Sequence, residues 1–80
     1  MTDPIHRLIR CFASVFPNST EEQIRTMSVD NNSEWDSLKS ATLVALLEQE
    51  FGVVISPVDM IDLDSFDAID TYLRTQGVLQ

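Results

Sequence analysis

Apolar residues recur at spacings of three and four along much of this chain, the pattern of helices that pack on one side. Ile5, Leu8, Ile9, Phe12, Val15 and Phe16 form the first stripe. Asp3 is placed to accept the free amides at its start, Pro4 suits the first helical position, and Pro17 ends it. A second stripe of Leu43, Val44, Leu47 and Phe51, with Leu46 beside it, predicts a helix that starts at Asp36 and Ser37. Gly52 stops it, because glycine accepts the left-handed conformation beyond a helix end. A third stripe of Phe66, Ile69, Tyr72 and Leu73 predicts a last helix, capped by Asp64 or Ser65 and ended by Gly77. Ser56-Pro57 has the hydroxyl-then-proline order of a helix start, here for one or two turns through Met60.

The intervening segments are less regular. Residues 17–35 read as a long polar loop, with capping-box spacing between Thr20 and Gln23 that suits a single turn near Glu21–Arg25. Met27 and Val29 are expected to tuck inward and pin it. Loops of this length in small domains are uncommon and often functional. Val53-Val54-Ile55 is β-branched but has no partner strand, so it reads as an extended connector whose side chains fill the core. The pattern predicts an all-α four-helix bundle: three longer helices, a short third helix, and a long loop after helix one. The 80 residues make a single domain, 1–80.

Charge changes the picture more than composition does. Five Lys and Arg stand against 13 Asp and Glu, for a net −8. A polyanion repels phosphate backbones and anionic lipid, so neither nucleic acid nor membrane is an expected partner. Partners with basic patches are. The acidity is uneven: residues 1–33 carry a net −1 and residues 34–80 a net −7. One cysteine, Cys11, and one histidine, His6, provide neither an internal disulfide nor a zinc site, and a monomeric, cytoplasmic protein is expected. The longest apolar run, residues 43–47, is far too short to span a bilayer, and the N-terminus does not read as a signal peptide.

Candidate chemistry is sparse. His6 has no nucleophile-elbow motif to serve and reads as an exposed helix residue. The acidic stretches around Asp30 and Asp62 lack the Gly and Glu of an EF-hand loop, so no metal site is expected. Cys11 reads as a small half-buried hydrophobe. Asp36-Ser37-Leu38 is different, because it joins a long loop to a helix N-terminus. Asp36 and Ser37 can simply cap the helix. A serine there is also well placed to carry a phosphate, which the unpaired amides and helix dipole favour, and the loop leaves its hydroxyl accessible to another enzyme.

From that motif onward the sequence resembles the acyl carrier proteins, small four-helix proteins that bind phosphopantetheine. The resemblance continues through Leu43-Val44-Ala45-Leu46-Leu47-Glu48-Gln49-Glu50-Phe51-Gly52-Val53-Val54-Ile55 and through residues 63–73. It implies that Ser37 carries 4′-phosphopantetheine, transferred from coenzyme A by a magnesium-dependent phosphopantetheinyl transferase. Asp36 and Leu38 would flank the attachment point. The chain would hold acyl groups as thioesters on the arm and deliver them to partner enzymes, catalysing nothing itself. Leu43, Val44, Leu47 and Phe51, with Ile55, Ile61, Phe66 and Ile69 opposite, would shelter the acyl chain.

The departures point to a specialised pathway. On the exposed side of the second helix, where fatty-acid-synthesis members carry several carboxylates, Leu38, Thr42, Ala45 and Gln49 form an uncharged stripe. Lys39 follows Leu38, and Glu48 and Glu50 lie near the helix end. Trp35 before Asp36 is unusual for housekeeping members. The partner surface implied by the resemblance comprises Trp35, Lys39, Thr42, Ala45, Glu48 and Gln49. An aminoacyl, peptidyl or aryl carrier is an alternative within the class. An unmodified helical interaction module is an alternative outside it.

Overall fold

The amphipathic stripes become helices in a computed structural model that describes residues 4–79. In chain order these are α1 (Pro4–Val15), α2 (Glu21–Arg25), α3 (Ser37–Phe51), α4 (Pro57–Met60) and α5 (Phe66–Thr75). The all-α architecture follows, with α2 as the expected single turn inside the long loop. The cap assigned to Asp3 lies outside the described residues. Local chemistry starts the other helices. Thr20 and Gln23 close a reciprocal capping box, with bonds of 3.1 and 2.8 Å. Ser56 accepts the Asp59 amide, and Ser65, not Asp64, accepts the Ala68 amide. Gly52 ends α3 at φ 67°, the left-handed region.

Leu8, Phe12, Ile24, Leu43, Leu47, Ile69, Leu73 and Leu79 are fully buried between the helices. Phe12 lies among three aromatic rings, those of Phe16, Trp35 and Phe66, at centroid distances of 6.5, 5.6 and 5.2 Å. The first loop reaches across to the segment before α5. The Val29 amide donates to the Asp64 carbonyl, and the Phe66 amide donates to the Met27 carbonyl, both at 2.9 Å. Asn31 braces the turn, accepting from the Ser28 amide and donating to the Thr26 carbonyl. The loop is thereby pinned mainly by backbone.

Three side chains depart from the sequence reading. Val29 does not tuck in as Met27 does; its backbone makes the stitch and its side chain is 38% exposed. Val54 stands 88% exposed, while Ile55 is buried and Val53 half-buried, because successive side chains of an extended segment alternate in direction. Ile61 is 76% exposed and not part of the core; α4 is a single turn, and Leu63 enters the core in its place. Tyr72 is half-buried, and its hydroxyl donates to Asp59 Oδ2 at 3.2 Å, tying α4 to α5. Its pKa is raised by burial and by the neighbouring Asp59 carboxylate.

Candidate functional site

The loop delivers the chain to α3 through Trp35. The indole is buried, packed edge-on against Phe12 and tilted against Phe16, with its N–H donating to Ser40 Oγ at 2.8 Å. Trp35 therefore packs in the core, with little of its surface exposed. Flanking polar residues hid it in the sequence, because a lone aromatic carries no periodicity. Asp36 follows as the cap of α3, its carboxylate accepting the Lys39 amide at 2.9 Å. Ser37 is then the first helical residue, exposed, and its side chain is released from capping duty. First-turn amides have no acceptor within the helix, so positive partial charge gathers beside the Ser37 hydroxyl.

A largely apolar surface groove of about 530 Å³ runs from this point toward α4, lined by Val29, Trp35, Asp36, Ser37, Ser40, Pro57, Met60 and Ile61. The exposed Leu38, Val58 and Ile61 add to an apolar surface in this part of the chain. The sequence reading did not place Val29, Ser40, Pro57 or Met60 at a functional site. Ser40 was findable from its position three residues after Ser37, where helical side chains are neighbours. The loop and α4 residues reach the groove only through tertiary packing.

The exposed side of α3 is uncharged. Leu38, Thr42, Ala45 and Gln49 all face solvent. Lys39 is half-buried and leans over the end of α1, its ammonium 3.5 Å from the Val15 carbonyl. Glu48 is engaged within the molecule: its carboxylate accepts the Ile55 amide at 2.8 Å and fixes the connector. Glu50 is paired with Arg7 at 2.7 Å. Unengaged acids lie elsewhere; Asp62 and Asp67 join Asp59 around a groove between α4 and α5.

The residues proposed to shelter an acyl chain are core. Leu43, Val44, Leu47, Phe51, Ile55, Phe66 and Ile69 are buried and packed, and Ile61 is the exception already noted. Cys11 is buried rather than half-buried. Burial and the Glu50 carboxylate push its thiol up to about 11, against the opposing pull of Arg7 and Arg10. His6 is exposed. Among the described residues no cluster of three metal-ligating side chains occurs, and no helix is long and apolar enough to cross a membrane.

A bundle of this kind, with an exposed serine opening its central helix above a groove, is the geometry of a prosthetic-group carrier. The family model described as the phosphopantetheine attachment site matches residues 6–73, and the chain belongs to that family. No individual curated protein matches it significantly. Members of the family bind 4′-phosphopantetheine covalently and work with phosphopantetheinyl transferases and biosynthetic enzymes. The residues present suit such a group: a free hydroxyl at a helix N-terminus, for a phosphate, and an apolar groove beside it.

Proposed function

We propose that Ser37 is the attachment point of 4′-phosphopantetheine and that the protein carries acyl intermediates as thioesters on that arm. The observation that carries this reading is the division of labour at the start of α3. Asp36 caps the helix, which leaves the exposed Ser37 hydroxyl without a structural task. In the transfer, Ser37 Oγ forms the new bond to the pantetheine-bearing phosphorus of coenzyme A. The bond to 3′,5′-ADP breaks, and the serine proton passes to a base of the transferase. Leu38, 74% exposed, offers that enzyme an apolar contact beside the reacting hydroxyl. The bound group supplies the thiol that carries the cargo; this chain supplies its anchor and the surface around it.

The uncharged side of α3 supports a specialised biosynthetic pathway over general fatty-acid synthesis. Thr42, Ala45 and Gln49 present no carboxylate, and Glu48 and Glu50 are occupied within the molecule. Basic patches of loading and transferring enzymes would find their charge complement on the α4–α5 side, at Asp59, Asp62 and Asp67. Sheltering a long chain among Leu43, Val44, Leu47, Phe51, Ile55, Phe66 and Ile69 requires the core to open, since these side chains are buried and packed. The test is incubation with coenzyme A, magnesium and a broad-specificity transferase, followed by intact mass. A gain of one phosphopantetheine that disappears in Ser37→Ala supports the reading. A folded protein that gains nothing beside an active control refutes it and favours the unmodified module.

A further inference from the structure

Trp35 precedes the cap of α3 by one residue, and Ser40 is the fourth residue of the helix. Apolar side chains at these two positions often pack together and set the angle at which a chain enters its helix. Here a hydrogen bond replaces that packing: the buried indole N–H donates to Ser40 Oγ at 2.8 Å. The bond uses the hydroxyl as an acceptor and leaves its own proton to be placed. Three other helical hydroxyls place theirs on the backbone. Ser14, Thr42 and Thr75 each donate to the carbonyl four residues earlier. Ser40 makes no such bond, although the Asp36 carbonyl accepts its amide at 2.9 Å. Instead it lines the same groove as Ser37.

From this arrangement we infer that Ser40 is a positioning residue for the prosthetic group: its hydroxyl, oriented by Trp35, donates to a phosphate oxygen of the arm on Ser37 and sets the arm along the groove toward Met60 and Ile61. The inference rests on Ser37 being the attachment point. Helical side chains three residues apart have β-carbons about 5–6 Å from each other, so a phosphate ester on one serine lies within hydrogen-bond reach of the other. A hydroxyl that accepts one hydrogen bond is polarised as a donor, and a phosphodiester is a charged acceptor, which strengthens the bond. Beyond the phosphate the groove is lined by Met60, Ile61 and Pro57, which suit the gem-dimethyl and methylene groups of pantetheine.

The experiment compares apo and loaded forms of the wild type, Ser40→Ala, Ser40→Thr and Trp35→Phe. Intact mass establishes loading, ³¹P NMR reads the phosphodiester, and amide NMR reads Met60 and Ile61. In the wild type, loading moves the Met60 and Ile61 amides. Ser40→Ala, once loaded, loses those displacements and shifts the phosphorus resonance. Ser40→Thr, which restores a hydroxyl, recovers both. Trp35→Phe keeps the ring but removes the indole donor, and reproduces the alanine result. A loaded Ser40→Ala protein with the wild-type phosphorus resonance and wild-type amide displacements overturns the inference, as does a Trp35→Phe protein with wild-type readings if the alanine variant fails to fold. A wild type that gains no mass overturns the assignment of Ser37 instead, and this inference with it.

Discussion

Arg7 holds Glu50 twice, across 43 positions of chain. Its Nε donates to Glu50 Oε2 at 2.7 Å, its Nη2 donates to the Glu50 carbonyl, and its guanidinium lies 4.8 Å from the centre of the Phe51 ring. The ion pair is partly exposed and by itself worth at most about 1 kcal/mol. The carbonyl bond and the ring contact add to it. Arg7→Ala is expected to cost about 1–2 kcal/mol in urea denaturation. Arg7→Lys should recover only part, because a lysine lacks the planar fork that serves both oxygens. Full recovery by lysine would show that charge alone carries the contact.

Capping and the proposed modification separate at adjacent residues. Asp36→Ala removes the acceptor of the Lys39 amide and should cost about 1 kcal/mol of stability. Ser37→Ala should cost less than about 0.5 kcal/mol, the usual range for a surface change, while abolishing loading. Thermal unfolding and intact mass, run on both variants, read the two effects independently. Equal destabilisation by the two changes would mean that Ser37 shares the cap.

Gly52 tests the backbone alone. At φ 67° with no atom within 4 Å of an added β-carbon, Gly52→Ala meets no clash and pays only the conformational cost. That cost is about 1–2 kcal/mol, and Gly52→Asn should lose less, since asparagine visits this region more readily. A neutral alanine variant in chemical denaturation would mean that α3 continues past Phe51.

Cys11 should be slow to react. With its pKa moved from 9.0 to about 11, the folded protein at pH 8 holds about 100-fold less thiolate than the unfolded chain. The sign for stability follows from the raised value: the folded state favours the neutral thiol, so this contribution is intact below pH 9 and is lost as pH rises through about 11. Reaction with a disulfide reagent, native against denatured, measures the first effect. Equal rates in the two states would contradict the burial.

The helices were legible in the sequence because their causes are local. Thr20 with Gln23, Ser56 with Pro57, and Gly52 after Phe51 act within one turn, and the stripes of α1, α3 and α5 repeat often enough to read. Isolated side chains were less legible. Trp35 stands in a polar stretch and is drawn inward by Phe12 and Phe16, which are distant in sequence. Ile61 looked like core by hydrophobicity, but one turn of α4 leaves it facing solvent. Glu48 looked like surface until the connector folded back to donate an amide to it. The position of Ser37 could be read from its motif; the groove beside it is assembled from three separate stretches of chain.

The two backbone bonds between the first loop and the start of α5 also bear on the order in which the surface around Ser37 is completed. Met27 and Val29 find their partners only at Phe66 and Asp64. During synthesis the ribosome makes Ser37 long before those residues emerge. Until then the loop that leads to it rests on α1 alone, through Trp35 against Phe12 and Phe16. The surface around the proposed attachment point is therefore complete only once the last helix has been made.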